Sequence, residues 1–282
     1  MERKFRSRYT LVLVLAALVA VPGCDKLRAR DLLNKGVQAY KGGQFDLAIE
    51  DFKRSKELDP SLLNARLYLA TAYSSQYIPG APSPENVRMG EQAIEEYKDV
   101  LQVEPNNLSA IDGIGAILYN MSGTPFDEKK FGESKQYHMK HIQLKPDDPE
   151  SYYWIGVIDW SLSFRGNKDI RADWNNKGKK PVKDTDPLPA DVAKQFTAKY
   201  GPIVDEGVDN LKKAIELRPD YDDAMAYMNL MYRERADIQC DDPAARAADL
   251  KTADDWVDKT MATKKAKAEK QPGGGGIVMD QK

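Results

Sequence analysis

Residues 32–60, "LLNKGVQAYKGGQFDLAIEDFKRSKELDP", set the rhythm of the chain. Leu33, Val37 and Tyr40 recur at three- and four-residue steps, the spacing of one helical face. Phe45 and Phe52 then begin a second apolar series, suited to filling the space between two paired helices. Gly36 and Ala48 are small enough to let those helices approach closely, and Pro60 stops the second one. The motif recurs. Segments ending "KELDP", "LQVEP", "IQLKP" and "IELRP" close at Pro60, Pro105, Pro146 and Pro219. Ten residues after these prolines stand Ala70, Gly115, Gly156 and Asn229; twelve before them stand Ala48, Ala93, Ser134 and Gly207.

The interval from each first-helix small residue to the next second-helix one is irregular: 12, 23, 19 and 51 residues. The other two intervals do not vary, so insertions of 11, 7 and 39 residues fall in the turn inside successive helix pairs. They lie near 75–90, 121–130 and 165–203, and are rich in loop-forming residues, as in "YIPGAPSPEN" and "RADWNNKGKKPVKDTDPLP". Within the longest, Val192, Phe196 and Tyr200 share a face and predict an extra short helix, and Pro202 predicts a fresh helix start. Leu250, Ala253 and Trp256 predict a closing helix, after which residues 263–282 read as a Lys- and Gly-rich disordered tail.

The uninterrupted period, from Gly36 to Ala70, is 34 residues. That period, with these small residues and prolines, resembles the tetratricopeptide repeat (TPR). The resemblance covers about residues 29–262 and implies an all-α fold: a right-handed solenoid of about five helix pairs, here with long intra-repeat insertions.

The chain opens with a separate signal. Arg3, Lys4, Arg6 and Arg8 precede the uncharged apolar run 11–21, which is shorter than the ~20 residues that span a bilayer. Val21-Pro22-Gly23-Cys24 then resembles a bacterial lipobox, with Pro22 departing from the usual small residue. The resemblance implies removal of residues 1–23, acylation of Cys24 and a short linker over 24–28. An ordinary secretory signal cut after Ala20, leaving Cys24 a free thiol, is the other reading. Asp25 resembles the inner-membrane retention signal of enteric lipoproteins, and does not decide between inner and outer membrane.

Residues 1–23 hold four of the 42 basic and one of the 44 acidic residues, so the remainder carries 38 against 43. There is no basic excess to favour nucleic acid. With Cys24 acylated, Cys240 has no intrachain partner and reads as an unpaired thiol.

His138 and His141, the only histidines, lie one helical turn apart in "YHMKH". They could begin a zinc site, but no third ligand is nearby in sequence, and they fall where a repeat packs residues between helices. "DGIGAI" lacks the third glycine of a dinucleotide loop and lies within a helical pattern. The basic tuft Gly178–Lys180 reads as a solvated loop. No cofactor and no catalytic group is expected.

The inner face of each first helix is where the TPR resemblance implies peptide binding. Leu33, Val37 and Tyr40 fall there, then Leu67, Thr71 and Ser74, then Asp112, Ala116 and Tyr119, then Tyr153, Val157 and Trp160. Co-chaperone repeats place a Lys and an Asn at the first two of these positions to clamp a C-terminal carboxylate; Leu33 and Val37 stand there instead. The aromatic and aliphatic face suits an extended apolar peptide or a helix. Tyr153 and Trp160 would either meet a partner or pack against the long insertion. If all insertions project from one edge, they form a wall beside this face, with Trp174 in a lid over Tyr153 and Trp160. The expected function is a lipid-anchored periplasmic scaffold binding a protein or peptide of the cell envelope. The competing class is a metal-dependent or enzymatic module using His138 and His141; more narrowly, the scaffold could be a pilotin-like factor of type IV pili.

Overall fold

The computed structural model describes residues 24–177, 180–239 and 241–270; the signal segment, Cys240 and the end of the tail lie outside them. Among the described residues ten helices follow in order: α1 over 24–41, α2 Phe45–Leu58, α3 Leu63–Gln76, α4 Pro84–Val103, α5 Leu108–Ser122, α6 Glu128–Leu144, α7 Pro149–Asn176, α8 Ala190–Leu217, α9 Asp222–Ile238 and α10 Pro243–Lys270. The second helix of each of the first four pairs ends two residues before its proline, as the spacing predicts. First helices begin on side-chain caps where the sequence offers them. Asn107 accepts the Ala110 N–H at 3.0 Å and Asp148 accepts that of Glu150 at 3.1 Å.

The helices fall into two compact units, one reaching to Tyr137 and one beginning at His138. In the first, α2 packs on α3, α3 on α4 and α4 on α5, and α3 also touches α5. Phe52, Leu69, Val100, Ile114 and Ile117 are buried at its centre. The small residues do what their spacing requires: a β-carbon at Gly36 would lie 2.6 Å from the Phe52 ring, and Ser134 donates to the Gly115 carbonyl at 2.8 Å. The first insertion forms the loop 77–83 and lengthens α4. Buried Asn86 ties that loop, accepting from the Ile78 N–H and donating to the carbonyls of Ile78 and Ala81.

In the second unit α7 packs on α8, α8 on α9, α9 on α10, and α7 also on α9. Here the longest insertion departs from expectation. It adds length to both partners of one pair, so α7 and α8 are 28 residues each, about 42 Å at 1.5 Å per residue. The stretch read as a separate short helix is the first part of α8, and Pro202 lies inside that helix rather than starting it. Pro202 and Ala198 are both exposed, so the carbonyl that loses its helical hydrogen bond lies on the solvent side of the helix. The extensions have their own apolar contact, in which Leu188, Ala193, Phe196 and Tyr200 pack with Ile170 and Val192. Two further expectations change. Residues 24–28 are helical rather than a linker. The closing helix runs to Lys270, past residue 262, because Thr263 reaches Met225 and Lys267 pairs with Asp222 on α9.

Candidate partner-binding site

In the first unit, Leu33 is only 9% exposed and belongs to the core, which leaves it little surface to offer a partner. Val37, Tyr40 and Leu67 are half-buried against the same core. The Tyr40 hydroxyl shares a 2.7 Å hydrogen bond with Ser75, and its ring meets Phe45 edge-on. Tyr119 is half-buried and meets Phe131 edge-on. These side chains keep one edge toward solvent, but they are held by neighbours in their own unit.

The second unit carries a continuous row of rings. Tyr221 lies 5.0 Å from Tyr153, Tyr153 lies 5.7 Å from Tyr227, Tyr227 lies 5.4 Å from Trp160, and Trp160 stacks on Phe164 at 5.0 Å. The row therefore bridges α7 and the next pair, with Tyr153 packed against Tyr221 and Tyr227. One end is closed: the Tyr221 hydroxyl donates to Glu150 at 2.6 Å, and Arg218 covers its ring while pairing with the same carboxylate. Burial, then the Glu150 bond, pushes the Tyr221 hydroxyl well above its ordinary pKa. The other end is open, with Phe164 40% exposed.

Trp174 does not cover this row. It lies 14 residues beyond Trp160 on one helix, about 21 Å along the axis, and its indole N–H donates to the Lys180 carbonyl at 3.0 Å. It lines a different cleft, with Asp173, Val192 and Lys199.

Beside the open end is a cavity of about 300 Å³, walled by Trp160, Phe164, Leu230 and Leu250. Its floor is a buried polar cluster that the sequence reading missed. Asn167 donates to Glu234 and to Asp237, both at 2.9 Å. Arg171, 4% exposed, donates to Asn167, to Asp237 and to the backbone carbonyls of Lys183 and Asp186. One guanidinium thus ties α7, α9 and the α7–α8 loop together. Burial, reinforced by the Asp237 charge, pushes the Glu234 carboxyl up to about 7, against the pull of Asn167 and Arg171. A signal was present. Asn167 follows Gly156 by 11 residues, three helical turns, and Glu234 follows Met231 by three, so both polar side chains sit in phase with buried positions.

His138 and His141 are both buried, His138 stacking on Trp154 with ring centroids 6.0 Å apart. Burial, with the neighbouring His141 second, lowers the His138 pKa to about 4. Among the described residues no group of three or more His, Cys, Asp or Glu side chains is gathered to hold a metal. Cys24 carries an exposed free thiol in the first turn of α1, with Leu27 exposed one turn on. No helix among the described residues is long and apolar enough to cross a membrane.

No protein-family model and no curated protein matches the chain. Solved structures do. A MamA crystal structure matches at 14% identity with a TM-score of 0.56, covering 88% of this chain and 98% of its own. MamA from residue 41 onward from Desulfovibrio magneticus RS-1 matches at 15% identity and 0.54, covering 85% and 96%. YrrB, described as a TPR protein with an unusual peptide-binding site, matches at 14% and 0.49, covering 84% and 90%.

Proposed function

We propose that this chain uses its tetratricopeptide-repeat fold as a protein-binding scaffold, held on a bacterial membrane through acylated Cys24 and facing the periplasm. The fold rests on the 34-residue spacing, the five helix pairs and the MamA matches; the role rests on the ring row. Tyr153, Tyr227, Trp160 and Phe164 lie half-buried or exposed along two adjacent first helices, with Phe164 open to solvent. Rigid rings with one face packed and one edge exposed offer contact area at little conformational cost, which suits a partner's peptide or helix. The lipid anchor is supported by the basic and apolar leader ending at Cys24 and by the exposure of that thiol.

A photo-crosslinking residue placed at position 164, with position 212 on the exposed side of α8 as control, tests the site in native cells. The expected result is one discrete crosslinked protein from 164 and none from 212, lost on Trp160→Ala. The same products from both positions would refute the ring row as the binding face.

A further inference from the structure

We propose that the cavity at the open end of the ring row is a carboxylate site, taking a carboxylate carried beside an apolar group, with Arg246 as its cationic anchor. This rests on reading the row as the partner-binding face.

Four cations surround the cavity. Lys168, Arg171, Arg233 and Arg246 line it against Asp184, Glu234 and Asp237. Three of the cations are engaged. Lys168 pairs with Asp184 at 2.7 Å, Arg233 with Asp254 at 2.8 Å, and Arg171 is engaged by Asp237, Asn167 and two carbonyls. Arg246 differs. It makes one long 3.3 Å bond to the Thr185 carbonyl, sits 3.6 Å from an Asp237 carboxylate that Arg171 already engages, and its buried Nε has no acceptor. A buried donor without an acceptor is a standing cost that an entering acceptor removes. A guanidinium edge fits the two oxygens of a carboxylate.

A cationic ligand is disfavoured, because Lys168 Nζ already lies 5.9 Å over the Phe164 ring and takes the ring face a cation would use. The walls set the rest of the ligand. Trp160, Phe164, Leu230 and Leu250 call for an apolar group next to the acid, and about 300 Å³ holds one side chain of leucine or phenylalanine size. Arg171, Asn167 and Asp237 fix the floor, while Arg246 arrives from α10, so the site needs both the inserted length of α7 and the closing helix.

The carboxylate could belong to a chain end or to an acidic side chain, and three acetylated tetrapeptides separate these. One ends in leucine with a free carboxylate, one is the same peptide amidated, and one is amidated with glutamate before the leucine. They are titrated into the full chain while the Trp160 indole N–H is followed by NMR, assigned through Trp160→Phe. One or both acids should shift the signal saturably, at least tenfold more tightly than the neutral amide, and whichever acid binds names the source. Arg246→Gln should remove that preference, and Arg246→Lys should recover part of it. Equal binding of the neutral amide, or an unchanged preference in a folded Arg246→Gln variant, overturns the proposal.

A second reading covers a variant that fails to fold. Glu234 is faced by Lys168, Arg171 and Asn167 from α7, Arg233 and Asp237 from α9, Arg246 from α10 and Asp184 from the loop. A carboxylate entering this group should bind more tightly at pH 6 than at pH 8, and Glu234→Gln should abolish that difference. A wild-type affinity independent of pH overturns the site. If position 164 still crosslinks a partner while the acids bind no better than the amide, the scaffold reading stands and the carboxylate site falls.

Discussion

A β-carbon added at Gly156 would lie 2.4 Å from Leu211 Cγ, 2.7 Å from Cδ2 and 3.1 Å from Cδ1. Leu211 is fully buried in the core of the second unit, and Cγ is its branch point, so rotation of χ2 leaves the closest contact in place. Gly156→Ala must therefore move α7 from α8 or displace the whole leucine. Overpacking of this kind costs about 1–3 kcal/mol. The better helix propensity of alanine returns about 1 kcal/mol. The expected net loss is up to about 2 kcal/mol, which lowers Tm by up to roughly 4–8 °C in a chain of this size. Gly132→Ala is the control, since α6 has nothing within 4 Å of the new methyl there. It should gain stability by up to about 1 kcal/mol. Thermal and urea unfolding followed by circular dichroism at 222 nm measures both. Leu211→Ala alone should cost about 2–5 kcal/mol. In the Gly156→Ala background it should cost at least about 1 kcal/mol less, because the two changes relieve each other. Additive costs, or a Gly156→Ala variant as stable as Gly132→Ala, would refute the helix contact drawn here.

Glu234 has its proton held up to about 7 in the fold against 4.5 in an unperturbed chain, so the native state binds that proton more tightly between those values. Stability should therefore fall as pH rises through 4.5 to 7 and then level off, by at most about 3 kcal/mol from this group, and Glu234→Gln should flatten that part of the curve. Arg171→Met strands buried Asp237 and should cost about 3–5 kcal/mol, with faster amide exchange first at 180–189; unchanged exchange there would show that the guanidinium does not hold the loop. Cys24→Ala should move the protein from the detergent phase to the aqueous phase, or leave an unprocessed precursor; identical aqueous partitioning of both forms would end the lipid-anchor reading.

Residue spacing carried the helix pairs, their order and their ends, because prolines and small residues act through local sterics that a single sequence displays. The same logic failed within the third insertion. Loop-forming residues at 171–189 and Pro202 suggested an irregular excursion, yet among the described residues of this insertion only 177 and 180–189 are non-helical. Ile170 and Val192, which lie on either side of that loop, join Phe196 and Tyr200 in one contact, and this tertiary packing outweighs a single helix-interior proline on the exposed side. Leu33 lies deeper than its helical phase suggested, for a related reason. Helical phase puts it on the first-helix face but does not say how deep that face sits once α2 is docked. Tyr153 and Trp160 were correctly placed on their helix, but the rings that join them, Tyr227 on α9 and Tyr221 just before it, cannot be paired with them from spacing alone.

The polar floor of the cavity bears on why the long insertion has this form. Extending a helix pair needs only an apolar seam, and Phe196, Tyr200, Ile170 and Val192 supply one. Asn167, Arg171, Glu234 and Asp237 lie on the other side of the extension, against α9, where apolar residues of similar volume would hold the helices at least as firmly. A buried ion pair with an elevated carboxyl beside it is a poor way to gain stability, and here it costs stability at and above neutral pH. Its position is more informative than its energy. It lies under the one end of the ring row that is open, fixes the loop that carries the Thr185 carbonyl, and shares the cavity with Arg246 of α10, whose buried Nε is an unfilled donor. The insertion thus adds to the repeat a polar recess at the end of an aromatic track, which gives a partner lying along the track a fixed place to stop.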